Sequence, residues 1–384
     1  MKNRKKILLT GGHFTAGIAV YNELIKKNMF DIVWAGHKYT MLFDKEPSAE
    51  YLNVTKLGIK FYDIKAGKIY RYFSWKGIIS LLRIPLGFIQ SLFLILSEKP
   101  DLIISFGGYI SVPICLTGKL LGVRYITHEQ TSTEGLANKL LSRFADKVMV
   151  AWPDSSLARY NNTKITITGN PVRSEIYIKD HPFVYFNVNL PTILIMGGNQ
   201  GSHLLNLTVL KLLPLLENKF NVIHSCGSNS IYNDYELLKK EEEYYINYKV
   251  FKGIWGEDSG RAFNQSDVVI TRSGANTVYE LAILSKPCIL VPLSYAVNNE
   301  QYKNAEKLKD LGLGFIIEEK DLSADSLYNA ILERNIFSEK LKSDENITNE
   351  LNKNIQNIII FDAASRIVQT AINILNKRGG REIQ

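Results

Sequence analysis

Short, mainly apolar runs alternate with helix-length amphipathic stretches along most of this chain, and that rhythm leaves few folds open. Lys6 to Thr10, Asp31 to Ala35, Leu102 to Ser105, Tyr125 to His128 and Lys147 to Ala151 read as buried strands, with helices at Ala16 to Lys27 and Val112 to Leu121. Strands of a parallel sheet are covered on both faces and so carry continuous apolar runs, while their crossovers supply the helices. A second series of the same kind follows at Thr192 to Met196, Asn221 to His224, Val268 to Arg272, Cys288 to Pro292 and Gly314 to Glu318. Two doubly wound α/β domains are therefore expected, which suits 384 residues, more than one hydrophobic core normally organises.

The stretch from Asn161 to Pro191 is rich in Asn and Pro and has no periodicity, so the domain junction is placed there. The boundaries read as a first domain over 1–165, a junction over 166–190, a second domain over 191–355, and a final helix over 356–384 that packs back on the first. Cys115, Cys226 and Cys288 are far apart in sequence and lack metal-ligand spacing, as expected of buried thiols in a reducing compartment. The apolar run after the basic Met1 to Lys6 is only Ile7 to Leu9, too short for a signal peptide. Gly87 to Leu96 is likewise too short to span a bilayer, so any membrane contact is expected to be peripheral.

Three glycine-rich segments leave the ends of predicted strands: Thr10-Gly11-Gly12-His13, Phe106-Gly107-Gly108-Tyr109 and Gly197-Gly198-Asn199-Gln200-Gly201. A loop between a parallel strand and the next helix presents free backbone N–H groups and the positive end of the helix dipole, both suited to phosphate oxygens. One such loop is explained by turn sterics, but three across two domains point to ligand. A fourth segment, Arg272 to Thr277, has the makings of a seat for a nucleotide diphosphate. Glu280, one turn into the next helix, is either a partner for ribose hydroxyls or a solvated helix residue. None of these loops fits the dinucleotide fingerprint or the Walker pattern, and no Asp-x-Asp pair is present, so no metal site and no cofactor are expected.

His13 stands where an imidazole could take a proton from a sugar hydroxyl. Glu129, in the pair His128-Glu129, is either catalytic or a buried structural acid. The net charge of +8 is concentrated in residues 1–160, which hold 22 Lys and Arg against 12 Asp and Glu. Between Lys65 and Lys99, basic residues mix with Tyr70, Tyr72, Phe73 and Trp75 and with many aliphatics on a short helical segment. That mixture suits a surface lying on anionic lipid, with Tyr72, Phe73, Trp75, Lys76 and Arg83 as docking residues. No nucleic-acid-binding module is present, and no nucleic-acid partner is expected.

Taken in order, the glycine segments resemble the MurG glycosyltransferases over roughly residues 6 to 375. The resemblance also rests on Arg71-Tyr72-Phe73-Ser74-Trp75-Lys76, His128-Glu129-Gln130, Gly135 to Lys139, Gly169 to Arg173, Arg272-Ser273-Gly274 and Gln301 to Ala305. It implies the GT-B fold, two Rossmann-like domains facing a cleft. The implied reaction is inverting transfer of N-acetylglucosamine from its UDP donor to the 4-hydroxyl of a lipid-linked muramyl-peptide, at the cytoplasmic face of the cell membrane. By the same resemblance, Thr10, Gly11 and Gly12 approach the donor sugar. Thr131, Arg173, Asn199, Gln200, Ala275, Asn276 and Thr277 join the donor contacts, Ile254 lies near uracil, Glu280 binds ribose and Gln301 holds the sugar. Gly12, His13, Gly107, Gly108 and Tyr109 take the acceptor diphosphate, and His13 is the general base. Asn199 stands where the family usually has Ser, and Thr131 where Asn is common. A related glycolipid synthase acting on diacylglycerol, or an inactive UDP-sugar binder, is the alternative.

Overall fold

The computed structural model describes residues 4–39, 47–67, 75–159, 164–187, 189–198, 200–229 and 231–376, with the backbone alone at 75–79, 158, 159 and 297. The chain divides into two units, Met1–Arg173 with Ile360–Gln384, and Ser174–Ile359.

Among the described residues the first unit is built on seven parallel strands: β1 (Lys5–Thr10), β2 (Phe30–Gly36), β3 (Lys60–Asp63), β4 (Leu102–Ser105), β5 (Arg124–Glu129), β6 (Lys147–Val150) and β7 (Ile165–Ile167). They lie in the order β3-β2-β1-β4-β5-β6-β7. The helices are α1 (Phe14–Lys26), α2 (Ala49–Lys56), α3 (Trp75–Glu98), α4 (Ser111–Leu120) and α5 (Leu136–Leu141). Strand side chains alternate between two cores. Ile7, Leu9, Ile104 and Ile126 pack with α1 on one face, while Leu8, Ile103 and Tyr125 pack with α3 and α4 on the other.

The second unit repeats the plan with β8 (Thr192–Met196), α6 (His203–Leu216), β9 (Asn221–Ser225), α7 (Asp234–Glu241), β10 (Tyr248–Phe251), α8 (Glu257–Gln265) and β11 (Val268–Thr271). It continues through α9 (Ala275–Ile283), β12 (Cys288–Leu290), α10 (Glu300–Asp310), β13 (Gly314–Ile316), α11 (Ala324–Ser343) and α12 (Glu345–Ile358). Its strand order is β10-β9-β8-β11-β12-β13, all pairs parallel. The last helix, α13 (Ala363–Asn376), belongs to the first unit, where Ile367, Val368 and Ala371 are buried in the same core as α1.

Three strands escaped the sequence reading. β3 and β10 carry alternating or half-exposed residues instead of apolar runs, and β7 is an edge strand of three residues whose side chains are half-buried or exposed. β7 also falls inside the stretch read as a junction. The segment expected to be a short helix is 24 residues long and contains Pro85. Among the described residues, two stretches, Ser80–Glu98 and Glu345–Asn376, are long and apolar enough to cross a membrane by length and composition alone. The second is two helices, α12 and α13, assigned to different units. In the first, α3 buries Leu94 and Ile95 in a core of the first unit. Glu98 at its end accepts hydrogen bonds from Lys6 at 2.8 Å, Lys60 at 2.7 Å and the Tyr62 hydroxyl, so the helix lies along the domain.

Candidate functional sites at the two switch points

In a doubly wound sheet, the loops leaving the two strands that flank the reversal of strand order diverge to opposite faces and open a crevice. In the first unit that reversal lies between β1 and β4, where Thr10 pairs with Ser105. In the second it lies between β8 and β11, where Met196 pairs with Thr271. All four segments singled out from sequence leave these four strands.

The two loops of the first unit interlock through their backbones. Phe106 N donates to Thr10 O at 2.8 Å and Gly12 N to Gly107 O at 3.0 Å. Gly11 has φ +139°, and a Cβ there would stand 2.7 Å from Phe106 N; Gly108, with φ +78°, would place one 2.9 Å from Gly12 N. These glycines are required by the closeness of the loops themselves. Gly12 is different: it has no positive φ, is exposed, and its nearest obstacle would be 3.6 Å away.

His13 directly precedes α1 and is half-buried, with Nδ1 3.0 Å from the carbonyl oxygen of Phe106. Across the Phe106 ring lies His128, centroids 6.2 Å apart. His128 is fully buried, and its Nε2 lies 2.9 Å from Gly169 O, so Nε2 is the protonated nitrogen; Nδ1 has no partner among the described residues. Burial pushes this imidazole down to about 4; the Gly169 bond opposes and neighbouring His13 reinforces the shift. His128 therefore stays neutral beside His13 at ordinary pH. Tyr109 packs its ring 4.9 Å from that of His37.

Glu129 is buried and holds the loop that follows it. Its Oε1 accepts from Thr131 N at 3.2 Å and Thr131 Oγ1 at 3.0 Å, and its Oε2 from Gly135 N at 3.1 Å and Asn138 Nδ2 at 2.9 Å. The carboxylate thus shapes the whole loop from Thr131 to Asn138. Asn138 extends the network by donating to His128 O and accepting from Thr127 Oγ1. Beside these, Thr10 Oγ1 and both amide atoms of Gln130, a residue given no role from sequence beyond its place in His128-Glu129-Gln130, are buried without partners among the described residues. Arg173 ends the first of the two chain segments that make up this unit and is half-buried.

In the second unit, the loop after β8 is folded tightly against the loop after β9. A Cβ on Gly201, where φ is +83°, would meet Cys226 O at 2.0 Å. Asn199 lies outside the described residues, while Gln200 is exposed. Ser202 caps α6, accepting from Leu205 N at 3.4 Å. The loop after β11 enters α9 through Gly274, with no side-chain cap, so the first-turn N–H groups of Ala275, Asn276 and Thr277 form the kind of helix end that receives anions. Glu280 is 2% exposed, which removes the reading of it as a solvated residue. Gln301, at the start of α10, is half-buried and its Oε1 accepts from Leu293 N at 3.1 Å. In the loop after β10, Ile254 is half-buried, while Trp255 is 58% exposed and its indole occupies the space a side chain on Gly253 would need.

The docking residues expected on α3 divide. Tyr72 and Phe73 lie outside the described residues, and only the backbone is described at Trp75 and Lys76. Arg83 is half-buried, and beyond it the outward face carries Leu82 at 73% exposure and Phe93 at 67%, with Leu81, Leu86, Ile89 and Leu96 also exposed.

These two halves match known proteins along most of the chain. A model of the glycosyltransferase family 28 N-terminal domain matches residues 10–150, and one of the family 28 C-terminal domain matches residues 192–359. A UDP-N-acetylglucosamine–N-acetylmuramyl-(pentapeptide) pyrophosphoryl-undecaprenol N-acetylglucosamine transferase of Treponema denticola is 33% identical over 351 residues, covering 88% of this chain and 89% of that protein. The protein of the same name from Clostridium tetani is 32% identical over 366 residues, covering 93% and 97%. Among solved structures, MurG of Acinetobacter baumannii superposes with a TM-score of 0.66 at 24% identity, covering 95% of this chain and 98% of that one, a likeness of fold. With both domain models matched in order and relatives of this identity aligned nearly end to end, the chain belongs to glycosyltransferase family 28 and, within it, to the MurG family.

Proposed function

We propose that this chain transfers N-acetylglucosamine from UDP-N-acetylglucosamine to the 4-hydroxyl of the muramyl sugar of a prenyl-diphosphate-linked acceptor, a step of peptidoglycan synthesis. The observation that carries this reading is the end-to-end similarity to relatives named for that reaction, together with glycine loops at both switch points. The second unit is the donor's: the uncapped N-terminus of α9 takes the diphosphate, Glu280 the ribose, Gln301 the sugar, and the loop at Ile254 and Trp255 the base. Arg173, Gln200 and the loop shaped by Glu129, with Thr131 in it, complete the donor contacts. The first unit is the acceptor's, with Gly12, Gly107, Gly108 and Tyr109 at its diphosphate.

His13 is the proposed base. Its Nδ1 is committed to a backbone carbonyl, so the lone pair on Nε2 is the one that accepts a proton from the attacking hydroxyl. As that oxygen bonds to the anomeric carbon, the bond to the UDP oxygen breaks with inversion. The diphosphate leaves into the field of helix N-termini. Enzyme and lipid meet on the outward face of α3, whose exposed Leu82, Leu86, Ile89 and Phe93 enter the headgroup region of an anionic cytoplasmic leaflet beside Arg83.

The test is transfer of labelled sugar from UDP-N-acetylglucosamine to a muramyl-pentapeptide prenyl diphosphate, with diacylglycerol as a parallel acceptor and EDTA present. Transfer to the muramyl lipid alone is expected. Transfer to diacylglycerol alone would overturn the acceptor assignment.

A further inference from the structure

We infer that Glu319 is a positioning residue of the donor seat, tying the segment that orients Gln301 to the cap of α6 through Arg272. Glu319 opens a single 3-10 turn, Glu319–Asp321, just after β13. Its Oε1 lies 2.7 Å from Arg272 Nη2, and its Oε2 accepts from Ser294 N at 3.0 Å and Ser294 Oγ at 2.5 Å. Arg272, at the end of β11 and 8% exposed, donates Nη2 to Ser202 Oγ at 2.6 Å and Nη1 to Val291 O at 2.9 Å.

One carboxylate thereby fixes three strand-end segments. Ser202 closes the glycine loop after β8, Arg272 begins the loop after β11, and Val291 to Ser294 leads out of β12. The last of these matters for the sugar. Leu293 N holds Gln301 Oε1, which leaves the amide N–H₂ of Gln301 as the group free to face a ligand. A buried guanidinium beside the positive end of α6 is electrostatically unfavourable unless an anion neutralises it, and Glu319 is that anion. Without it, Arg272 loses the reason to stay on Ser202, and Ser294 loses its anchor.

This inference rests on the reading of the second unit as the donor's, and the two can fail separately. In the full chain, Glu319→Gln is expected to raise KM for UDP-N-acetylglucosamine about tenfold, equivalent to about 1.4 kcal/mol, while kcat changes much less. Ser294→Ala, which removes only the hydroxyl bond, should shift KM the same way by a smaller factor, and it decides the matter if Glu319→Gln does not fold. A folded Glu319→Gln, or failing that Ser294→Ala, with unchanged KM would reduce the network to scaffolding and overturn the inference. Glu280→Ala serves as the control: if it leaves UDP affinity intact, the donor reading itself falls.

Discussion

The imidazole Nδ1 of His13 lies 3.0 Å from the backbone carbonyl oxygen of Phe106, so the first residue of the loop after β4 fixes the tautomer of the last residue of the loop after β1. A carbonyl can only accept, which puts the hydrogen on Nδ1 of the neutral ring and the lone pair on Nε2. His13→Ala is expected to lower kcat by roughly 10²–10⁴, the usual weight of a general base, with the Kd for UDP near that of the parent. Initial rates and calorimetric titration separate the two, and equal losses in both would remove His13 from that role.

Gly11 and Gly12 are adjacent, yet replacing each with Ala should have opposite signatures. At Gly11 the new methyl would meet the Phe106 backbone at 2.7 Å from a positive φ, so Gly11→Ala is expected to cost roughly 1–3 kcal/mol of stability as well as activity. At Gly12 the nearest atom is 3.6 Å away, and Gly12→Ala should melt like the parent but lose kcat/KM, because the methyl enters space proposed for substrate. Thermal melts alongside kinetics test the pair; a destabilised Gly12→Ala would mean that this glycine too serves the fold.

Much of this was legible in the chain because parallel strands buried on both faces announce themselves as apolar runs, and the loops that follow them carry glycine. Thr10 to His13, Phe106 to Tyr109 and Gly197 to Gly201 were located that way. β3 was not, since Lys60 to Asp63 is only partly covered and shows no run. The roles of Glu129 and Glu319 were hidden for another reason. Glu129 is defined by four donors on Thr131, Gly135 and Asn138, the last of them nine residues downstream. Glu319 sits in the charged sequence Glu318 to Asp321, and its partners are 25 and 47 residues away. No local spacing encodes such contacts. Arg272 offered a hint, as an arginine closing an apolar strand must find an anion when buried.

Glu129→Gln keeps the side-chain shape but exchanges an acceptor oxygen for a donor facing Thr131 or Gly135 and Asn138. The loop should loosen at a cost of roughly 1–3 kcal/mol, the penalty for a buried donor left unmatched. Hydrogen exchange at the Thr131 and Gly135 amides should accelerate while β5 stays protected. Unchanged exchange at both would show that the loop is held by other contacts.

Acid should weaken the second unit through His224. The ring is fully buried between Tyr248 Oη, 2.9 Å from Nδ1, and Asn206 Oδ1, 3.1 Å from Nε2. Burial pushes its pKa down to about 3, only partly countered by Asp234. The unfolded chain takes up a proton below about 6.5, whereas the folded chain refuses it until about 3. Stability therefore falls as pH drops through that window and levels off beneath it. In the first unit His128, down to about 4, and His37, also held down by burial, act in the same sense, but Glu50 opposes them: burial raises that carboxyl to about 7, which favours the folded state as pH falls from 7 toward 4.5. A His224→Gln variant should lose less stability than the parent between pH 7 and pH 5, and equal losses would contradict this role for His224.

Leu82 and Phe93 point outward from α3, 73% and 67% exposed, while Leu94 and Ile95 are buried. Changing the outward pair to Ser therefore removes apolar surface from solvent without opening the core. Fully burying a Leu or Phe side chain is worth roughly 1.5–3 kcal/mol, and even partial insertion of both gives the double variant a marked loss of binding to vesicles containing anionic lipid. Its melting temperature and its turnover of a short-chain, water-soluble acceptor should match the parent, since neither substitution touches a strand-end loop. Arg83→Ala should act differently, lowering the dependence of vesicle binding on salt more than the binding in detergent-free anionic lipid at high ionic strength, where its charge is already screened. Undiminished sedimentation of the Leu82→Ser, Phe93→Ser chain with such vesicles would move the docking surface away from α3.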